Sequence, residues 1–455
     1  WLIGLSQVLF GPSLLAGRAF SLLAGWAGVL ILWRASHRAL GESAGTLTLL
    51  LLVSNAYLMS HFAVAAFHGL AFFWVALGAW FLVASDSQWR RSAVVLCAWG
   101  LFLTRPQFGL VVPLAGFWGL WTARNQRARV AVLVASVLPG LAFLAGYWPG
   151  VLKMAAYVPL LAPWAAMQGW VPLPFPPEPD WGTRIGRALV LVLRSYKGWI
   201  AAGLVAWALW PVGGQPMPRQ ARVILWAFCL LAASQLTVVN YSWKVAVGYF
   251  PAFAGLLAVP LAARFAQLLH FAPADRILPR RAVSAVALGL VLGFGPVASP
   301  PPNLPLAVDP SRLAAFEAER AGRELARLIP PGTPIFLFGP ATVPHLAGLR
   351  PPIQPSNNLE TLVPLIRRED LPLGRKVRYA RIAKSGLWSQ IEIVNWLGFE
   401  RRPWAVIWRE GLNLRAKRYD WEPEIALMDL ILKSSYVPAG TVAYHGVTLE
   451  VWRRR

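Results

Sequence analysis

Residues 43–85 read SAGTLTLLLLVSNAYLMSHFAVAAFHGLAFFWVALGAWFLVAS, a run without a single Asp, Glu, Lys or Arg. A helix needs about 20 apolar residues to cross the roughly 30 Å hydrocarbon core of a membrane. The run is too long for one crossing, so we predict two transmembrane helices joined by a turn near His61. A typical soluble domain carries about one charged residue in four, which makes this stretch decisive for the fold class.

The same length criterion predicts about ten transmembrane helices along the chain. They lie near residues 13–33, 44–61, 63–85, 91–104, 106–122, 130–149, 198–212, 222–240, 245–265 and 282–299. Of the 20 acidic residues only five precede residue 301, where the composition changes from apolar to mixed. We therefore expect an α-helical polytopic membrane domain over residues 1–300 and a small α/β domain over residues 301–455.

The basic residues predict the orientation of these helices. A net charge of +23 would suit nucleic-acid binding, but the cations of the apolar part stand in short clusters between hydrophobic runs. Positively charged loops collect in the cytoplasm. The clusters assigned to that side are Arg34 with Arg38, Arg90 with Arg91, Arg124 with Arg127 and Arg129, Arg219 with Arg222, and Arg264 with Arg276, Arg280 and Arg281. Trp1 and the domain after residue 300 then lie outside, and a cytoplasmic N-terminus would require at least one span before Trp1.

Residues 301–455 carry the pattern of an α/β domain whose internal topology stays open. Residues 312–329 (RLAAFEAERAGRELARLI) have amphipathic helical spacing, and a Pro-Gly turn leads into a short buried strand, PIFLFG. Further elements are the strands AVIWRE (405–410), TVAYHG (441–446) and VTLEVW (447–452), and the helix PEIALMDLILK (423–433).

Two segments between spans are predicted to lie on the outer face. Residues 150–183 form a long loop rich in Pro, Trp and Tyr, in which Glu178 and Asp180 are candidate general bases, although carboxylates between prolines are more often only solvated. Residues 184–197 predict an amphipathic surface helix or, alternatively, an extension of the next span. Candidate contacts to an anionic headgroup, or ordinary interfacial anchors, are Lys153, Tyr157, Tyr241 and Lys244.

Arg105 is the first candidate for binding a lipid phosphate. It comes 13 uncharged residues after Arg91, about 20 Å of helix, and Pro106 interrupts the helix there. A guanidinium at the outer rim of the bundle can hold a phosphate by two hydrogen bonds; the alternative is an arginine that snorkels to the headgroups. Gln107 is a second polar candidate beside it.

His61 and His68 lie at the predicted outer turn between the second and third spans. Seven residues apart on one helix, they would face the same way. Two histidines can bind a metal, but no third ligand is apparent, so we interpret them as the polar lining of a cavity mouth. The sequence shows no cofactor motif, and metal dependence stays open.

Several stretches together resemble a family of membrane enzymes. They are LFGPSLLAGRAFSLLAGWAGVLILW (9–33), HGLAFFWVALGAWFL (68–82), LFLTRPQFGLVVPLAGFW (101–118), YFPAFAGLLAVPLA (249–262) and GVTLEVWRRR (446–455). They are similar to segments of GT-C class glycosyltransferases that use polyprenyl-phosphate-linked sugars, the superfamily of protein mannosyltransferases and aminoarabinose transferases. LTRP, which ends at Pro106, is the most specific of these motifs.

The resemblance implies a multi-pass enzyme of the bacterial inner (plasma) membrane. It would move a sugar from a polyprenyl-phosphate carrier to a glycan, lipid or protein acceptor on the outer face. The family's catalytic Asp lies on a first outer loop that would precede Trp1, so we expect the chain to be N-terminally truncated. The family often has an acidic residue where this chain has His68, which makes His68 a catalytic candidate beside Glu178 and Asp180. Arg105 carries over as a phosphate contact, and the resemblance implies that the basic surface helix around Arg194 and Lys197 borders the entry of the lipid phosphate.

Two other functions remain open from the sequence. The first is a transporter or flippase of a lipid-linked substrate, against which we find no internal repeat and polar features that cluster on the outer side. The second is a non-catalytic membrane scaffold whose outer domain binds a partner.

Overall fold

The computed structural model describes residues 14–53, 55–62, 68–85, 89–104, 108–155, 161–168, 215–238, 255–270, 314–339, 341–350, 397–399, 402–410, 423–444 and 447–455. These residues divide into two compact units. The first contains the described parts of 15–143 and 179–304, and the second contains the described parts of 144–178 and 305–455. The boundary predicted near residue 300 stays a prediction.

The described residues are mostly helical. In chain order the helices are α1 (Leu14–Leu40), α2 (Glu42–Val53), α3 (Ala56–Phe62), α4 (His68–Val83), α5 (Arg90–Thr104), α6 (Val111–Thr122), α7 (Gln126–Gly146), α8 (Trp148–Ala155), α9 (Ala162–Met167), α10 (Arg219–Val238), α11 (Ala258–His270), α12 (Ala314–Leu328), α13 (Thr342–Leu346) and α14 (Pro423–Ser435). A 3-10 turn at Gly255–Leu257 leads into α11. In the first unit α4 packs against α5, and α2 packs against α11.

Small residues let α1 approach its neighbours closely. Ser21, Gly25 and Gly28 recur at the three- and four-residue spacing that places side chains on one helix face. A Cβ at Gly25 would overlap the ring of Phe62, and one at Gly28 would lie 2.7 Å from Cδ1 of Phe72. Small residues at helix interfaces are the usual packing device in membranes, so this face of α1 is built for helix contact.

Two helix ends follow from local chemistry. The second predicted span, 44–61, is interrupted, because Asn55 Oδ1 accepts a hydrogen bond of 3.0 Å from the backbone N–H of Leu58 and so caps a new helix, α3. Helix α5 ends at Thr104, where Pro106 was predicted to end it. The next helix begins at Val111 rather than at residue 106, so the break between these two helices is wider than the sequence predicted.

Two of the described helices are long and apolar enough to cross a membrane: α1 over Arg18–Leu40, and α7. Helix α7 exposes Leu133, Val137, Leu138 and Leu141, the all-round apolar surface that suits a lipid environment. Helices α2, α4 and α6 are apolar but shorter. The predicted spans 198–212 and 282–299 and the surface helix 184–197 lie outside the described residues, and the number of ten spans stays a prediction.

The second unit corrects the interpretation of the outer loop. Residues 150–183 were predicted to be a loop, yet two short helices, α8 and α9, occupy part of that range. The rings of Trp148 and Trp164 stand edge to face with centroids 5.7 Å apart. This aromatic contact joins α8 to α9.

A four-stranded mixed sheet organises the described part of the C-terminal region. Its strands are β1 (Ile335–Phe338), β2 (Trp404–Trp408), β3 (Tyr436–Tyr444) and β4 (Val447–Arg454), in the order β1-β2-β4-β3. Strand β1 is parallel to β2, whereas β4 is antiparallel to both β2 and β3. The predicted strands are confirmed, but β3 begins five residues earlier than the sequence indicated. Pro438 is tolerated because β3 lies at the edge of the described sheet, where a missing donor costs least.

Both faces of this sheet are covered by apolar side chains. Ile335, Leu337 and Val406 join a core with residues of α12, whereas Phe336, Phe338 and Ile407 join a second core with residues of α14. Successive side chains of a strand point to opposite faces, so a continuous apolar run such as IFLF is expected where both faces are buried. The helix predicted at 312–329 is α12, and that predicted at 423–433 is α14.

Candidate functional site

His61 and His68 meet at one end of the helix bundle. Their imidazole centroids are 4.8 Å apart and the ring planes are nearly perpendicular, at 87°. The predicted spans 44–61 and 63–85 placed them on two helices, and the structure agrees: His61 belongs to the last turn of α3 and His68 begins α4. The pair therefore joins two helices rather than marking one helix face. Among the described residues, its ring nitrogens are polar groups that could bind an anion or a hydroxyl.

Backbone contact with α1 fixes the position of His68. A Cβ on the adjacent Gly69 would overlap the carbonyl oxygen of Ser21, so α1 and α4 touch directly at the level of the histidines. The Ser21 side chain is buried, with 1% of its surface exposed, and its Oγ makes no hydrogen bond to a described residue. Below this level Phe62 and Phe72 stack with centroids 5.2 Å apart and begin the apolar interior.

The opposite end of α1 carries a second set of polar contacts. Ser36 Oγ and Thr48 Oγ1 are 2.7 Å apart, and Thr48 Oγ1 donates a 2.8 Å hydrogen bond to the carbonyl oxygen of Ala44. Fifteen residues of helix, about 22 Å, separate Ser36 from Ser21. Buried Val29 and Leu32 lie between them. The described bundle thus has polar contacts towards both ends and an apolar middle.

The observed environment of Arg264 differs from the predicted one. The sequence assigned it to a cytoplasmic loop cluster, but it lies inside α11 with 1% of its surface exposed. Its Nη1 donates hydrogen bonds to Gln267 Oε1 at 2.8 Å and to the carbonyl oxygen of Gln215 at 3.3 Å. Buried charges need such partners. The positive-inside interpretation counted the charge but gave no sign that the side chain would turn inward.

Most sequence-predicted site residues lie outside the described residues. These are Arg105, Gln107, Tyr157, Glu178, Asp180, Arg194, Lys197, Tyr241 and Lys244. Lys153 belongs to α8, but its side chain is not described. The structure places Thr104, the last residue of α5, and the buried Phe108 on either side of the Arg105 segment. Of the predicted set, His61 and His68 are the residues seen in contact.

Metal binding receives little support from this geometry. Two histidines at 4.8 Å between centroids supply at most two ligands, whereas a protein zinc site takes three or four. Within the described ranges no three His, Cys, Asp or Glu side chains come close enough together to hold an ion.

The C-terminal unit contains a charged network that sequence reasoning missed. Arg409 donates hydrogen bonds to Asp429 Oδ1 at 2.7 Å and to Glu450 Oε2 at 2.6 Å. Lys433 Nζ lies 2.6 Å from Asp429 Oδ2, and Trp452 Nε1 donates to Glu450 Oε2 at 3.0 Å. The contacts join residues 20 and 41 positions apart, which no local pattern reveals. They link α14 to β4 through the residue that follows β2.

Electrostatics in this network favour the ionised forms. The hydrogen bond to Glu450 raises the pKa of Arg409 above its usual value, and the hydrogen bond to Asp429 adds to the effect. Burial alone would raise the pKa of Asp429, but hydrogen bonds from Lys433 and Arg409 hold it below the usual range. Arg409 and Asp429 are therefore both charged at neutral pH, as paired members of an ion network should be.

Among solved structures, the chain is similar to two crystal structures of ArnT from Cupriavidus metallidurans, one in the apo state and one bound to undecaprenyl phosphate. The match covers 99% of this chain and 86% of the ArnT chain, with TM-scores of 0.51 and 0.50 at 13% and 14% sequence identity. The chain has the ArnT fold. No protein-family model and no curated protein matches the sequence.

The ArnT fold confirms the resemblance that the sequence motifs predicted. The likeness to ArnT is one of fold and extends over nearly the whole chain. At 13% identity the likeness shows the fold and leaves the reaction open. The predicted fold class is confirmed at this level: mostly helical, with a small mixed sheet.

Proposed function

We propose that the protein is a membrane glycosyltransferase that moves a sugar from a polyprenyl-phosphate carrier to an acceptor on the outer face of the membrane. The observation that carries the proposal is the ArnT fold over 99% of the chain. One of the ArnT structures is bound to undecaprenyl phosphate, a polyprenyl phosphate of the class that the proposed reaction releases. The acceptor is a glycan, a lipid or a protein, and the sugar is left open.

The chemistry needs a cation close to the departing carrier. The phosphate gains negative charge as the sugar leaves it, and a fixed positive group placed there lowers the barrier. We assign this role to Arg105, because the helix before it ends at Thr104 and a guanidinium beyond that end can grip two phosphate oxygens. Gln107 and the interfacial residues Lys153, Tyr157, Arg194, Lys197, Tyr241 and Lys244 are proposed to line the path of the carrier.

The histidine pair is proposed to contact the sugar phosphate or the acceptor. The ring centroids of His61 and His68 are 4.8 Å apart, and the pair lies next to the buried contact between Ser21 and Gly69. Both contacts restrict the position of the rings. Fixed side chains bind a polar substrate at a lower entropic cost than mobile ones. The position of His68 also suits a proton acceptor.

The proposed reaction requires a defined orientation in the membrane. We propose about ten spans over residues 1–300 in the bacterial inner membrane, with the domain of residues 301–455 on the outer side. Cysteine substitutions test this orientation: a membrane-impermeant thiol reagent added to whole cells should label Arg323→Cys in α12 and not Arg127→Cys in α7, both of which are exposed positions. Labelling of Arg127→Cys alone would show the opposite orientation.

Transfer in vitro tests the function itself. The full-length natural protein, reconstituted in vesicles, is given a radiolabelled sugar on a synthetic polyprenyl phosphate together with cell-envelope acceptors. Release of free polyprenyl phosphate and labelling of an acceptor would support the proposal. Movement of the intact carrier between leaflets without sugar release would instead support a flippase, and neither activity would support a scaffold.

The variants Glu178→Gln and Asp180→Asn test whether one of these two carboxylates is the general base of the transfer reaction. In the same assay, loss of transfer in one variant with unchanged carrier binding would assign the proton-accepting role to that carboxylate. Full activity in both would remove them from the catalytic candidates.

A further inference from the structure

An open apolar groove runs between α1 and α4, towards the end of this helix pair that lies away from His68. Its volume is about 510 Å³, and it is lined by Leu30, Ile31, Trp33, Arg34, Leu77 and Trp80. A volume of this size falls within the roughly 300–1,000 Å³ of ordinary ligand sites. The groove has an almost wholly apolar wall and one cation, so it suits an amphiphile with a hydrocarbon chain and an anionic head.

Two arginines stand at the charged end of the groove. Arg34 lines it and is exposed, and Arg38 lies one helical turn further along α1. The guanidinium carbon of Arg38 is 5.9 Å from the ring centroid of Trp80, a cation–π arrangement that keeps this charge at the wall of the groove.

The aromatic residues indicate the depth of this end. Trp33 and Trp80 both line the groove, and tryptophan concentrates where hydrocarbon meets headgroups. The positive-inside rule puts Arg34 and Arg38 on the cytoplasmic side. The charged end of the groove therefore coincides with the headgroups of the cytoplasmic leaflet, and the side chains of Leu30, Ile31 and Leu77 with the start of its acyl chains.

We propose that this groove binds an anionic phospholipid of the cytoplasmic leaflet. Its phosphate lies between Arg34 and Arg38, and one acyl chain follows Leu30, Ile31 and Leu77. Basic residues beside a transmembrane helix on the cytoplasmic side attract anionic lipids, and guanidinium groups bind phosphate in a forked geometry. The proposal rests on the membrane orientation and not on the transfer reaction, so a protein without transferase activity could still bind the lipid.

A second cavity of the same unit offers a contrast. Its volume is about 130 Å³, and it is lined by Glu42, Gln267 and mostly uncharged residues of α1, α2 and α11 together with Pro218. Its carboxylate would repel a phosphate, and its volume is too small for a lipid tail. The anionic lipid is therefore assigned to the groove of Arg34.

Native mass spectrometry of the purified protein tests the assignment. The protein in neutral detergent is titrated with phosphatidylglycerol and, separately, with phosphatidylcholine. We expect tighter binding of phosphatidylglycerol, a loss of about fivefold for each arginine replaced, and so a loss of roughly 25-fold in the Arg34→Gln/Arg38→Gln variant. The matched control is Arg124→Gln/Arg127→Gln, which removes two exposed cations assigned to the same side and should leave binding unchanged. Equal affinity for phosphatidylglycerol in the Arg34→Gln/Arg38→Gln variant and in the control variant would overturn the proposal.

Cross-linking is done on the unaltered protein, so its result does not depend on whether a substituted variant folds. Phosphatidylglycerol with a photoreactive group in its acyl chain should label the peptides that contain Leu30, Ile31 and Leu77. Labelling confined to other peptides would overturn the site. Displacement of phosphatidylglycerol by an equal amount of undecaprenyl phosphate, with no displacement by phosphatidylcholine, would also overturn it, because the groove would then belong to the carrier lipid.

Discussion

The imidazole ring of His68 stands edge to face on that of His61, with their centroids 4.8 Å apart. The contact joins the last turn of α3 to the first turn of α4. Two roles are compatible with it: packing between helices, and presentation of ring nitrogens to a substrate. The roles can be separated, because phenylalanine reproduces the ring and lacks the nitrogens.

His68→Phe is expected to keep the thermal stability of the protein and to lose transfer. An aromatic pair contributes about 0.5–1.5 kcal/mol beyond its buried area, which Phe retains and His68→Ala would forfeit. A hydrogen bond to a charged group is worth about 1.5–3 kcal/mol, so sugar transfer should fall by roughly 10- to 150-fold in His68→Phe. Melting in detergent and the transfer assay measure the two effects; a fully active His68→Phe would show that the ring only packs.

Gly69→Ala is expected to destabilise the bundle. Its Cβ would overlap the carbonyl oxygen of Ser21, a backbone atom that cannot move without shifting α1. Overpacking of this kind typically costs about 1–3 kcal/mol, so the melting temperature in detergent should fall.

Gly78→Ala in the same helix is the matched control for Gly69→Ala. The nearest atom to its new Cβ would be Cys97 Cβ at 3.6 Å, an ordinary contact, and alanine is the better helix former. We expect its stability to be unchanged or slightly higher. An equal loss of stability in both variants would mean that the close contact between Ser21 and Gly69 is not the cause of the destabilisation.

Arg105→Ala is expected to abolish transfer, and Arg105→Lys to retain only part of it. Lysine keeps the charge but cannot make the forked pair of hydrogen bonds that a guanidinium offers to phosphate. The measurement is initial transfer rate against carrier concentration. Arg127→Ala, on the exposed start of α7, is the control and should behave as the unaltered protein. Normal transfer by Arg105→Ala would remove this residue from the phosphate site.

Arg409→Met is expected to weaken the C-terminal unit. It leaves Asp429 and Glu450 without the donor that now lies at 2.7 and 2.6 Å. Hydrogen bonds to charged groups contribute about 1.5–3 kcal/mol, although partial exposure reduces the electrostatic share. Faster hydrogen exchange in the peptides of β4 and α14 would reveal the loss, and exchange as slow as in the unaltered protein would contradict it.

Asp429 should make the same unit sensitive to acid. Its pKa in the folded protein lies below the usual range, so its contribution to stability is complete above the unfolded value of about 3.9. That contribution is lost as the pH falls through the lower folded value. Asp429→Asn should lower stability at neutral pH and flatten the decline on acidification. Thermal unfolding between about pH 6 and pH 2.5 measures this; identical slopes for the two proteins would contradict the role of Asp429.

Part of the fold could be predicted because single residues determine it locally. A helix break was predicted at Pro106, and α5 ends at Thr104; the unbroken apolar run of β1 indicated a buried strand. The break at Asn55 was missed because neither glycine nor proline marks it, although asparagine is a strong helix cap. Helices α8 and α9 were missed because their prolines and tryptophans were taken for a loop.

The site was harder to predict, because its geometry depends on contacts between distant residues. The sequence placed His61 and His68 at the turn between two spans but could not show that their rings are in contact. Arg264 sits in a basic cluster by sequence, and only its packing against Gln215 and Gln267 shows that it points inward. The partners of Arg409 are likewise set by the sheet order rather than by spacing.

That sheet order has a consequence for the way the protein is made. Strand β4 lies between β2 and β3, so neither neighbour can complete its pairing before residues 447–454 have left the ribosome. If the domain is exported, β1, β2 and β3 emerge from the translocon while the apolar edge of β2 is still open, and an open edge invites pairing with other chains. During that interval we expect chaperones on the outer side of the membrane to bind the nascent chain.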